Sequence, residues 1–94
     1  MFKRAEAWFT GRVQGVYFRD YARRHSIELG VRGWVMNQDD GSVQAVFEGE
    51  ENDILEVIRR LREEHPIASV DGVDIRWEDH KGEFKEFQIR YLGR

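Results

Sequence analysis

The sequence predicts an α+β sandwich, with one antiparallel sheet and two helices packed on one of its faces. The first observation behind this is apolar–polar alternation of period two in five segments. The second is a pair of segments with apolar residues at helical spacing. The third is the order of these segments: strand, helix, strand, strand, helix, strand, strand.

Phe2 to Val13 reads as the first strand, with Ala5, Ala7, Phe9, Gly11 and Val13 on one face. Gly11 and Gly15 then punctuate a loop. Phe18 to Leu29 fits a helix, because Phe18, Ala22, His25 and Leu29 share a face and Gly30 is a left-handed stop. Val31 to Asn37 is a second strand. Asp39-Asp40-Gly41 signals a tight turn into a third, Ser42 to Glu48, where Val43, Ala45 and Phe47 alternate. Gly49 to Asp53 opens a second helix, with acidic residues where the helix dipole favours them. Ile54, Val57, Ile58 and Leu61 form its buried stripe, and Pro66 stops it. Val73, Ile75 and Trp77 mark a fourth strand. Lys81-Gly82 turns the chain, and Phe87, Ile89 and Tyr91 mark a last, short one. Strands joined by a short turn pair antiparallel, and helical crossovers are right-handed. The expected arrangement is therefore β-α-β-β-α-β, ferredoxin-like, with a short extra strand at the C-terminal end.

Length and composition narrow the function classes. The 94 residues suffice for a single domain, 1–94, that removes about two-thirds of its unfolded surface from water. There is no cysteine, which excludes disulfides, thiolate metal sites and a cysteine nucleophile. No apolar run approaches the ~18 residues of a membrane span, and the first residues lack a basic-then-apolar leader pattern. The expected location is the cytoplasm. Net charge is −3, yet residues 1–34 carry a balance of +4 and residues 35–94 one of −7. An anion site belongs in the N-terminal third. Neither nucleic acid nor a membrane is an expected partner. RNA-recognition domains share this topology, but their basic-Gly-aromatic strand motif is missing here.

Chemistry concentrates in Gly11-Arg12-Val13-Gln14-Gly15-Val16-Tyr17-Phe18-Arg19. Glycine lets a backbone curl so that successive N–H groups face one concavity, which attracts a phosphate-sized anion at a helix N-terminus. Arg19 begins the helix, and its guanidinium can grip two phosphate oxygens. No nucleotide P-loop is present, because neither Gly-Lys-Ser/Thr nor G-x-G-x-x-G occurs. The second stretch is Gly33-Trp34-Val35-Met36-Asn37-Gln38-Asp39-Asp40-Gly41. A helix of ~15 Å leads away from Arg19 and a strand of ~20 Å leads back, so Arg19 and Asn37 should meet at one edge of the domain. An uncharged amide beside an anion can hold a water with one donor and one acceptor.

These two stretches closely resemble the paired signatures of the acylphosphatase family, in the same order and spacing. The resemblance extends over nearly the whole chain. Gln44 stands where the family more often has glutamate, and His65-Pro66 where it often has Gly-Pro. The resemblance implies hydrolysis of the carboxyl–phosphate bond of acyl phosphates to a carboxylate and inorganic phosphate. It implies that Arg19 and the N–H groups of Gln14, Gly15, Val16, Tyr17, Phe18 and Arg19 bind the phosphoryl oxygens. Asn37 would orient the attacking water, with no metal, cofactor or phosphoenzyme. Inorganic phosphate would be both product and inhibitor, and a monomer is expected.

Other residues read more simply. His25 looks like a packed histidine. His65 and His80 lack metal-ligand spacing. Asp39 and Asp40 suit a turn, and Asp20 suits the helix dipole, with tuning of Arg19 a secondary role. Trp8, Trp34 and Trp77 suit a core or a sheet face.

Overall fold

A computed structural model describes residues 1–92. The elements are β1 (Phe2–Arg12), α1 (Phe18–Glu28), β2 (Arg32–Asn37), β3 (Val43–Glu50), α2 (Glu51–Glu63), β4 (Ser69–Asp79) and β5 (Phe87–Arg90). The strands form one sheet in the order β4-β1-β3-β2-β5. β1 pairs antiparallel with β3 and β4, and β2 antiparallel with β3. These four strands and two helices are the ferredoxin-like arrangement.

The alternation in β1 decides which face is covered. Ala5, Ala7 and Phe9 are buried and pair with Phe47, Ala45 and Val43 of β3. The small alanines leave room for helices to approach the sheet. Phe18 and Ala22 of α1 and Ile54, Val57 and Leu61 of α2 complete this core. On the other face, Trp8 and Trp34 are half-buried, each beneath a guanidinium, Arg76 at 5.4 Å and Arg90 at 5.2 Å. Trp77 sits at the edge of the core face and stays partly exposed.

β5 adds to the antiparallel four as a parallel neighbour of β2, so the whole sheet is mixed. β4 and β5 lie on opposite edges, and the chain between them must cross the end of the sheet. Two features fix that crossing. Glu48, only 3% exposed, accepts the N–H groups of Lys81 at 2.7 Å and Glu83 at 3.0 Å. Arg4 pairs with Glu83 at 2.5 Å, while its guanidinium lies 5.1 Å from the Phe84 ring. The turn at Lys81-Gly82 therefore redirects the chain across the sheet and does not form a hairpin. This delivers β5 next to β2, at the edge where the helix-side cleft opens.

Candidate active site

The loop between β1 and α1 departs from the sheet at a bulge. The β1–β4 register slips between Thr10 and Gly11. Gly11 has φ 116°, and a Cβ there would lie 2.3 Å from the Ser69 carbonyl oxygen, so no other residue fits. Beyond it, Val13, Val16 and Phe18 are buried and anchor the loop. Gln14, Gly15, Tyr17 and Arg19 lie between these anchors and nearer the surface.

Two of these residues are left-handed, Gly15 at φ 73° and Tyr17 at φ 62°. Glycine adopts this region without penalty. Tyrosine does not, and such a residue costs about 1–3 kcal/mol. Tyr17 is 78% exposed, so no side-chain packing explains its conformation. Alternating left-handed residues make a concave run of N–H groups. Among the described residues, no main-chain carbonyl engages the N–H groups of Gln14 to Arg19.

The Gln14 side chain looks the other way. Its amide donates to the carbonyls of Gln38 at 2.8 Å and Ser42 at 2.9 Å, lacing the loop to the β2–β3 turn. Gln38 in turn donates to Gln44, and Gln44 to Glu6, both at 2.7 Å. A glutamate at position 44 would set a second carboxylate against Glu6.

Arg19 lies in the first turn of α1. Among the described residues no carboxylate pairs with it. The neighbouring Asp20 carboxylate goes to Arg24 at 3.3 Å. The Arg19 guanidinium sits 5.2 Å from the centre of the Tyr91 ring. Asn37 ends β2, and its pairing with Val43 puts it on the helix side of the sheet. Its Oδ1 is buried and has no hydrogen-bond partner among the described residues. Such an atom carries a desolvation cost of about 1–3 kcal/mol unless something fills the place.

Arg19 and Asn37 share one cleft of about 300 Å³ with Gly15, Tyr17, Phe18 and Asp20, closed at the far side by Ile89 and Tyr91 of the C-terminal segment. That volume suits a small molecule. The cleft thus brings together Arg19, Asn37, Gly15, Tyr17 and Phe18 from the expected set. Gln14 and Val16, also expected at the site, are not among the residues that line it. Tyr91 and Ile89 belong to the cleft but were not expected there, because the sequence does not show where the last strand docks.

A family model for acylphosphatase matches residues 5–89. The chain belongs to the acylphosphatase family. It is 42% identical to an acylphosphatase of Syntrophobacter fumaroxidans over 95% of this chain and 92% of that one. It is 46% identical to an acylphosphatase of Pyrobaculum arsenaticum, covering 92% of each. The crystal structure of acylphosphatase from Bacillus subtilis superimposes with a TM-score of 0.89 at 28% identity, covering 97% of this chain and all 100% of that one. The activity is that of an acylphosphatase, hydrolysis of the carboxyl–phosphate bond of acyl phosphates.

The remaining candidates have structural partners. Asp40 Oδ1 accepts the Ser42 N–H at 2.9 Å and the Ser42 hydroxyl at 2.6 Å, which holds its carboxyl below the usual range and serves the turn. His25 Nδ1 meets Arg60 at 2.8 Å, and its ring lies 4.1 Å from Tyr21. Burial, reinforced by Arg60, lowers its pKa. His80 packs edge-on to Phe2. Among the described residues, no group of three or more His, Asp or Glu side chains assembles as a metal site.

Proposed function

We propose that Arg19 and the N–H groups from Gln14 to Arg19 hold the phosphoryl group, while the Asn37 amide places the attacking water. The observation that carries this reading is that, among the described residues, the buried Asn37 Oδ1 is unpartnered and shares a cleft with a guanidinium that has no carboxylate partner. Oδ1 accepts a hydrogen bond from the water and so orients its lone pair toward phosphorus. The amide is neutral and does not repel the anion.

The substrate needs little more. Its leaving group is a carboxylate with a free pKa of about 4, so departure requires little general-acid help. The transition state for phosphoryl transfer is loose, with charge spread over the equatorial oxygens. Arg19 and the loop donors neutralise that charge, and binding both partners converts the attack into a positioned event. One water proton stays on the attacking oxygen and the other passes to a phosphoryl oxygen of the substrate, leaving dihydrogen phosphate, which then ionises in solution, and a free carboxylate. No metal, cofactor or phosphoenzyme takes part. Inorganic phosphate competes for the same loop, and the working form is a cytoplasmic monomer.

The test is hydrolysis of benzoyl phosphate by the purified protein with and without EDTA. Catalysed, chelator-insensitive loss with competitive inhibition by inorganic phosphate is expected. Loss of activity in EDTA, or inhibition that is not competitive, would overturn the reading.

A further inference from the structure

The proposed chemistry occupies the polar groups of the cleft and gives Ile89 and Tyr91 no task, although both line it. The sheet explains how they come to be there. β5 runs parallel to β2 with Ile89 opposite Val35. Val35 is fully buried on the helix side, so Ile89 faces that side as well. The alternation of side chains then carries Tyr91, the residue just after β5, to the same side. The place of its ring agrees, with the centre 5.2 Å from the guanidinium carbon of Arg19. Yet Tyr91 is 73% exposed. The ring is therefore fixed against the cation and otherwise open to solvent, at the mouth of the cleft.

The geometry of the reaction directs the acyl group to this mouth. In phosphoryl transfer the attacking and leaving oxygens lie roughly in line across phosphorus. The water belongs at Asn37 Oδ1, which is buried. The leaving carboxylate therefore points away from that closed end, outward. One bridging oxygen joins phosphorus to the acyl carbon. A phosphoryl group held by Arg19 thus brings its acyl substituent beside the ring that lies against Arg19.

We propose that Tyr91, with Ile89, forms the acyl subsite, and that the substrates are acyl phosphates with a flat or bulky apolar substituent, such as an aryl group. This rests on the phosphate-binding reading of Arg19 and the loop. An aromatic face gains from contact with a second ring and from the apolar area that the contact covers. A methyl group covers little of it, so acetyl phosphate is the poorer substrate. The ring stands open and not inside an enclosed pocket, so it ranks substituents by the area they cover and does not select one shape.

The test compares kcat/KM for benzoyl and acetyl phosphate, whose leaving groups are both ordinary carboxylates. The parent should prefer benzoyl phosphate by about ten-fold or more. Tyr91→Ala should reduce this preference about five-fold, the size of one aromatic contact. The loss should appear as a raised KM for benzoyl phosphate, because the contact is made alike in the ground state and the transition state. Any disturbance of Arg19 acts on both substrates and cancels in the ratio of the two. Tyr91→Phe should restore the preference, since it keeps the ring and removes only the hydroxyl. Competitive inhibition by inorganic phosphate tests the underlying reading separately. A preference that is absent from the parent, or unchanged in Tyr91→Ala, with phosphate still competitive, would overturn the subsite alone. A preference that Tyr91→Phe fails to restore would overturn the role of the ring. Phosphate that does not compete would overturn the reading of Arg19 and the loop, and this proposal with it.

Discussion

Gln14 donates its side-chain amide to the Gln38 carbonyl at 2.8 Å, and this bond joins the loop between β1 and α1 to the turn that follows Asn37. With the companion bond to Ser42 it ties the loop to the turn, and in the proposed mechanism it would set the separation between phosphorus and water. Removing it with the near-isosteric Gln14→Met takes one of two donors from each carbonyl, since Ser42 keeps the Gln38 N–H at 2.9 Å and Gln38 the Gly41 N–H at 3.3 Å. Stability should fall by about 2 kcal/mol. Turnover should fall more than substrate affinity does, because the anion donors are main-chain groups that Met retains, whereas the placement of Asn37 depends on the tie. Steady-state kinetics beside thermal melts separate the two. A variant with raised KM and unchanged kcat would contradict this account.

Arg19→Lys should lower kcat/KM by about 100-fold. One compact ammonium replaces a planar fork, and the stacking over Tyr91 is lost. The fold should hold its melting midpoint, because no described carboxylate depends on Arg19. The inhibition constant of inorganic phosphate checks the binding part, and it should weaken together with turnover. Unchanged phosphate inhibition in the lysine variant would remove Arg19 from the binding site.

Asn37→Ala separates placement of the water from binding. kcat should fall by about 100-fold or more, while inhibition by inorganic phosphate stays within two-fold of the parent. Stability should not fall and should rise by up to about 1–3 kcal/mol, because an unpartnered buried oxygen is removed. A rise in melting temperature paired with lost turnover is the expected mark of a group kept for chemistry. Near-parent turnover would refute the assignment.

Much of this was legible in the sequence. The alternation in β1 and the stripe Ile54, Val57, Ile58, Leu61 follow from burial on one face, so the order of elements could be read directly. The meeting of Arg19 and Asn37 followed from helix and strand rise alone. Three features were not readable, each for a physical reason. The partner of β5 is set by Glu48 and Arg4 gripping the crossing segment, and these contacts span more than thirty positions of chain. Tyr91 reaches the cleft only through that docking. The left-handed conformation of Tyr17 carries no local signal, since glycine and asparagine are the residues that announce it. His65 was visible as a departure from the Gly-Pro pattern, but the bonds that its Nδ1 accepts from the Ile67 and Ala68 N–H groups exist only in the folded turn.

The grip of Glu48 on that crossing segment predicts a weakness in acid. Burial raises the Glu48 pKa, but the N–H groups of Lys81 and Glu83, helped by His80 and Arg4, outweigh it, and the net shift is downward. A carboxyl with a depressed folded pKa contributes stability that is complete above its unfolded value, near 4.5, and is lost as the pH falls through the folded value. Protonation weakens the acceptor for both N–H groups and frees the segment that holds β5, and with it Ile89 and Tyr91, against the cleft. Glu48→Gln should mimic this at neutral pH. It turns one acceptor into a donor facing an N–H and removes the longest, at 3.7 Å, of the three carboxylate contacts of Arg4. The expected loss is about 2 kcal/mol, or about 10 °C in melting midpoint. Below pH 4 the parent should approach the variant, and the gap between their melting curves should close. A gap that stays constant from pH 7 to pH 3 would show that the charge of Glu48 contributes nothing to the fold.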